Sequence, residues 1–220
     1  MAKMPAVDYS QFRLRKINDP EYAHMKLLIS WPLYFLAFIL TERWIPYDRC
    51  SVIYSKLDAV IPFCEYFLIP YVLWYGLVAG SLVYFMLYRI KSFQYLQKYI
   101  IILEIVAITV YILFPNRQDL RPAQFTRDNF FTQAVKLLYR VDTSTNVCPS
   151  MHVAFSVAIA SVWTKEENVS RTVKTAIVIL AVLVCLSTVF LKQHSVVDGY
   201  AAIVVCLLAE WIVFRKTAEK

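Results

Sequence analysis

Glycine is nearly missing: Gly76, Gly80 and Gly199 are the three in 220 residues. Nucleotide sites of the Rossmann or P-loop kind need several glycines close together to bring backbone up to phosphate, so those classes are excluded. Cysteine is scarce, at five, and neither C-x-x-C nor a paired Cys/His spacing occurs, which excludes zinc-finger and dithiol redox motifs. Charged residues are only 18% of the chain, with too much apolar side chain around them for a disordered segment. The formal charge of +7 is scattered along the chain and not gathered on one face, so nucleic acid is not an expected partner. Residues 1–26 are polar and charged without an apolar centre, so no cleavable signal peptide is read there. No repeat or low-complexity tract stands out.

What the chain has is apolar length. Hydrophobic residues make up 59%, and the mean hydropathy is +0.52. A soluble globule of this size could not hide so much. The expectation is an all-α, polytopic membrane protein with six transmembrane helices in one bundle, because a span needs about 20 apolar residues. The stretches are Leu27–Ile45, Phe67–Arg89, Tyr99–Phe114, Val147–Trp163, Val173–Leu191 and Val196–Phe214. The third is short, and the fourth opens on polar residues. The division is then an interfacial N-terminal segment, 1–26, a membrane domain, 27–214, and a cytoplasmic tail, 215–220. Fourteen of the 23 Lys and Arg residues fall on the side holding both termini: Lys3, Arg13, Arg15, Lys16, Lys26, Arg89, Lys91, Lys98, Lys165, Arg171, Lys174, Arg215, Lys216 and Lys220. The positive-inside rule puts that side in the cytoplasm. A disulfide between Cys50 and Cys64, which share the first outer loop, stays open. Asp58 and Glu65 in the same loop read as solvated interface residues, and a stretch from about Phe130 to Asp142 as an amphipathic segment along the outer interface.

This topology gathers three polar segments on the outer face: the 115–146 loop with Arg117, Arg121 and Pro122, then Cys148–His152, then Lys192–Asp198. Ionisable groups at membrane depth are costly, so His152, His194 and Asp198 need a reason. His194 and Asp198 are four apart and share a helix face if a helix begins near His194. A carboxylate on one imidazole nitrogen fixes the tautomer and leaves the other nitrogen free as base or nucleophile. A second histidine on a neighbouring helix supplies a general acid, and arginines suit phosphate oxygens. The two histidines and Asp198 are also usable zinc ligands, a reading the adjacent arginines oppose.

These segments resemble the three signatures of the type 2 phosphatidic acid phosphatase and vanadium haloperoxidase superfamily, K-x6-R-P, P-S-G-H and S-R-x5-H-x3-D. The second reads Pro149-Ser150-Met151-His152. The third reads Ser187-Thr188, five residues, His194, three residues, Asp198. The first keeps Arg121-Pro122, with Phe114 in place of the lysine. Order, spacing and placement match over about residues 58–214. The resemblance implies an integral membrane, metal-independent lipid phosphate or diphosphate phosphatase without cofactor. His194 would attack phosphorus, Asp198 would orient it, and His152 would protonate the leaving oxygen. Arg121 with the amides around Ser150 and Met151 would hold the equatorial oxygens. Phosphatidic acid, phosphatidylglycerol phosphate and polyprenyl diphosphates are the implied substrates, met among membrane lipids on the outer face of the cell membrane.

Two family cations are replaced, by Phe114 and Thr188, and Arg117 and Lys192 are the nearest substitutes by position. Met151 in place of glycine adds bulk beside the phosphate. The wording C-P-S-x-H and K-Q-H-S-V-V-D is similar to inositol phosphorylceramide and sphingomyelin synthases, which transfer phosphorylated head groups. Transfer is therefore the alternative to hydrolysis, and a catalytically inactive binding or transport protein is a third reading.

Overall fold

A computed structural model describes residues 5–167 and 169–215. The described residues form eight α-helices: α1 (Ser30–Trp44), α2 (Lys56–Val60), α3 (Leu68–Tyr88), α4 (Ile90–Leu113), α5 (Phe130–Val141), α6 (Met151–Lys165), α7 (Arg171–Phe190) and α8 (Val196–Arg215). One parallel ladder joins β1 (Ser51–Val52) to β2 (Asn116–Arg117). Among the described residues, five helical stretches are long and apolar enough to cross a membrane: Ala23–Trp44, Glu65–Tyr88, Ile90–Leu113, Arg171–Phe190 and Val196–Arg215. The expected Val147–Trp163 span does not meet that test. Residues 147–150 are non-helical, and α6 has 15 residues, about 22 Å of rise. Its apolar residues pack inside the protein, against α3, α4, α7 and α8. Phe155, Ala158 and Ile159 are buried there with Leu96, Ile100, Leu103 and Ala107 of α4.

The third span begins nine residues before the expected Tyr99 because its early polar residues have partners. The Gln97 amide donates to the Ser30 hydroxyl at 2.9 Å and accepts from the Trp31 indole at 3.3 Å. That tie docks α4 on the start of α1. The N-terminal segment wraps below it in short 3-10 turns, with the Tyr9 hydroxyl bonded to His24 and donating to the Met86 carbonyl, each at 2.8 Å. Residues 1–4, and 216–220 of the expected tail, lie outside the described residues.

The loops expected on the outer face are more ordered than the sequence suggests. Asp58 and Glu65 are buried, not solvated. Asp58 accepts from backbone and side chains described below, and Glu65 accepts from Arg127 at 3.2 Å and Asn129 at 3.0 Å. Helix α5 is amphipathic: Val135 and Thr132 are buried, while Phe130, Leu137 and Val141 are exposed. Cys50 and Cys64 are free thiols. Among the described residues, the non-glycine residues with positive φ are Asn146 (55°) and Lys192 (54°). Each sits just before one of the two histidine segments, so the backbone reverses sharply ahead of both. An asparagine tolerates this conformation; a lysine adopts it at a cost of about 1–2 kcal/mol.

Candidate active site

Helix α6 starts on Ser150, whose hydroxyl accepts from Val153 N–H at 3.5 Å. Among the described residues the N–H groups of Met151 and His152 have no backbone acceptor, as first-turn donors of a helix do not. They present the positive end of the helix dipole, a ready anion site. Asn116, fully buried, sets the approach: its carbonyl accepts from Val147 and Cys148 N–H at 2.9 and 2.8 Å, and its amide donates to the carbonyls of Phe114 and Cys148. Burial, and then the nearby Asp198 carboxylate, push the Cys148 thiol up to about 12.

Asp58 does the equivalent for α8. Its carboxylate accepts from Ser55 N–H (2.7 Å), the Ser195 hydroxyl (2.6 Å) and Val196 N–H (2.8 Å). It thus caps two helices and pins the turn that carries His194. Sequence reading missed Asn116 and gave Asp58 a bland role. Asp58 carried a local signal, as the third residue of a Ser55-led capping box, but Asn116 carried none.

His194 Nδ1 lies 3.0 Å from the Val147 carbonyl and 3.3 Å from Asp198 Oδ2. Both partners only accept, which assigns the proton to Nδ1 and the lone pair to Nε2. Asp198 is fully buried and also accepts from Ser195 N–H at 2.8 Å. The Ser150 N–H donates to the Asp198 carbonyl at 3.1 Å, joining the starts of α6 and α8. The His152 ring sits 5.8 Å from the His194 ring, between Tyr71 at 4.4 Å and Trp74 at 4.2 Å. Its Nε2 is buried without a partner among the described residues.

The structure therefore brings Ser150, Met151, His152, His194 and Asp198 together, and it places the candidate cations differently. The Arg121 guanidinium donates to Gln193 Oε1 (2.7 and 3.1 Å) and to the carbonyls of Tyr139, Asp142 and Thr143 (3.0, 2.9 and 2.8 Å). It abuts the residue before His194 with most of its donors in use, and burial lowers its pKa. Arg117 lies over the Tyr47 ring, donates to the Tyr47 hydroxyl and the Cys50 carbonyl, and pairs with Asp119. Lys192 donates to the carbonyls of Asp58 and Ile61. Neither of these two lines the cavity next to the histidines. The Thr188 hydroxyl turns back to the Cys185 carbonyl at 2.8 Å, and Phe114 is half exposed. Among the described residues no group of three or more His, Cys, Asp or Glu side chains is placed to hold a metal ion.

A cavity of about 740 Å³ opens beside the histidine pair and runs between α1 and α3. His152, His194, Gln193 and Asp142 line one end, and Leu28, Met86 and Phe93 the other.

Among family models, that of the PAP2 superfamily matches residues 98–220, more than half of the chain. The chain belongs to the PAP2 superfamily. No curated protein and no solved structure matched it. The matched stretch contains Arg121, Ser150–His152, His194 and Asp198, while α1 and α3, which wall the cavity, lie before it. PAP2 membership and five apolar helices make this a multi-pass membrane protein of phosphatase type.

Proposed function

We propose that this PAP2 protein is a metal-independent lipid phosphate or diphosphate phosphatase of the cell membrane, working through a phosphohistidine on His194. The observation that carries the reading is the His194–Asp198 pair facing His152 at the N-terminus of α6. His194 Nε2 forms a bond to phosphorus while the ester P–O bond breaks, and His152 gives the leaving oxygen its proton. The N–H groups of Met151 and His152 hold charge on the equatorial oxygens, with Ser150 fixing the turn. Water then attacks phosphorus, the P–N bond breaks, and His152 takes a proton from the water. Arg121 acts from the adjacent layer through Gln193, and Arg117 and Lys192 contribute through the outer loops. The apolar length of the cavity suits a lipid such as phosphatidic acid, phosphatidylglycerol phosphate or a polyprenyl diphosphate.

In this reading the 27–214 domain crosses the membrane six times, with α6 as the short central crossing. Two contacts support that. One end of α6 is at the histidine pair, and just past the other Glu166 pairs with Arg89 at the α3–α4 turn (3.0 Å) and accepts from Ser92 (2.6 Å). Both termini are then cytoplasmic and the active site extracytoplasmic. Transfer of a phosphorylated head group is the second reading, favoured by the engagement of Arg121 and the absence of a cation at Phe114 and Thr188.

The test is phosphate release from those lipids by the purified protein in detergent without divalent metal, beside His194→Ala. The acid-labile phosphate trapped on the protein is read in parallel. Release and trapping by the wild type alone are expected. Equal release by His194→Ala, or release only with added divalent metal, would overturn the mechanism.

A further inference from the structure

The cavity beside His194 has a charge pattern that a plain phosphate does not explain. Among the described residues no lysine or arginine lines it, and its one formally charged side chain besides the histidines is Asp142. Asp142 Oδ2 accepts from the Tyr71 hydroxyl at 2.8 Å and from Gln193 at 2.9 Å; Oδ1 takes no bond among the described residues. A second carboxylate stands next door, since Glu42 at the outer end of α1 accepts from the hydroxyl of Thr143. The nearest guanidinium, Arg121, is bonded to carbonyls and to Gln193, which bridges it to Asp142; it offsets part of that charge from behind but does not line the cavity, and Asp142 Oδ1 stays free on the cavity side among the described residues.

A phosphate bound at α6 would thus meet two N–H groups and a dipole worth about half a charge. It would also face a carboxylate across a low-dielectric cavity. A dianionic monoester is poorly matched to that balance, because burying uncompensated charge is costly. A phosphodiester carries one negative charge fewer, and a cation attached to it would answer Asp142. The walls on that side are aromatic, Tyr75 and Trp74 from α3 and Phe38 and Tyr34 from α1. Aromatic faces around a carboxylate are the chemistry that holds alkylammonium groups.

We propose that this cavity binds a zwitterionic phosphodiester lipid, its ammonium against Asp142 and the aromatic walls and its phosphate at the start of α6. This rests on the reading of His194 as nucleophile and puts a diester in the place of the monoester and diphosphate lipids named above. His194 Nε2 bonds to phosphorus, the P–O bond to the lipid alcohol breaks, and that oxygen takes its proton from His152. Water then breaks the P–N bond, returns a proton to His152 and frees the ammonium-bearing phosphate monoester.

Binding tests the site apart from the chemistry. The His194→Ala protein, full-length in mild detergent, is titrated with hexadecylphosphocholine and with hexadecyl phosphate, read by tryptophan fluorescence. The phosphocholine is expected to bind about tenfold tighter, and Asp142→Asn and Tyr75→Leu each to cut that preference to about threefold or less. Tyr75 is exposed, so its replacement leaves the packing intact and covers the case in which Asp142→Asn misfolds. Equal or tighter binding of hexadecyl phosphate, or a preference untouched by Tyr75→Leu, overturns the proposal. Failure of phosphohistidine trapping in the wild type would count against the catalytic reading alone, since this titration needs no turnover.

Discussion

Replacing Asp198 with Asn removes a buried negative charge from the histidine pair while leaving its geometry standing. In the structure the Nδ1 proton of His194 is shared between the Val147 carbonyl at 3.0 Å and Asp198 Oδ2 at 3.3 Å. Ser195 N–H donates to the same Oδ2 at 2.8 Å, so it holds the oxygen of the introduced amide toward His194. The amide nitrogen then falls at the Oδ1 position, which has no partner among the described residues. Two oxygens still face Nδ1, and the tautomer with a free Nε2 survives. What is lost is the charge-assisted part of one hydrogen bond, about 1–2 kcal/mol, or roughly 5- to 30-fold in rate. That is far below the roughly 10⁴-fold loss seen where an Asp→Asn change forces the wrong imidazole tautomer. The measurement is kcat/KM for phosphate release from the best lipid, with the trapped phosphohistidine read in single turnover. A loss near that of His194→Ala would show that Asp198 alone sets the tautomer and would refute the role given to Val147. An unchanged rate would refute the pair as a catalytic unit.

Asp58→Ala strands the donors of Ser55, Ser195 and Val196 at the joint between α2 and α8. A loss of about 3 kcal/mol or more in stability is expected, seen as a lower Tm in detergent; an unaltered Tm would show the cap to be dispensable. Ala79→Trp places a bulky ring part-way down the cavity, whose α3 wall from Trp74 to Met86 is about 18 Å long, against about 15 Å for one leaflet of hydrocarbon. Turnover of long-chain lipids should fall at least about tenfold relative to short-chain ones, while Val72→Trp, on an exposed position outside the cavity, should leave the ratio unchanged. Equal effects on both chain lengths would mean that the lipid tail lies elsewhere.

Local pattern carried the membrane bundle and the histidine pair. Apolar stretches mark helices because a span must satisfy its own backbone and present apolar side chains to lipid. The four-residue spacing marked His194 and Asp198 as partners; α8 begins at Val196, so the turn ahead of the helix, held by Ser195 N–H on Asp198, brings them together. The same logic marked α6 without foreseeing that its apolar residues turn inward and that its 15 residues leave it outside the five candidate spans. At α4 it set the start nine residues late, because the polar residues before Tyr99, Gln97 among them, find partners on α1.

The sequence by itself determined the all-α membrane architecture, through the length of its apolar stretches, and the family and the order Ser150, His152, His194, Asp198, through the resemblance of its motifs to known signatures. Only the tertiary structure decided which cations remain free, since that depends on carbonyls brought in from distant loops: Arg121 meets Tyr139, Asp142 and Thr143, and Lys192 meets Asp58 and Ile61. It alone also decided that Asp142 faces the cavity under Tyr71 and that Asn116 shapes the turn into α6. Those placements join residues 71 and 32 positions apart, a separation that no local pattern can encode.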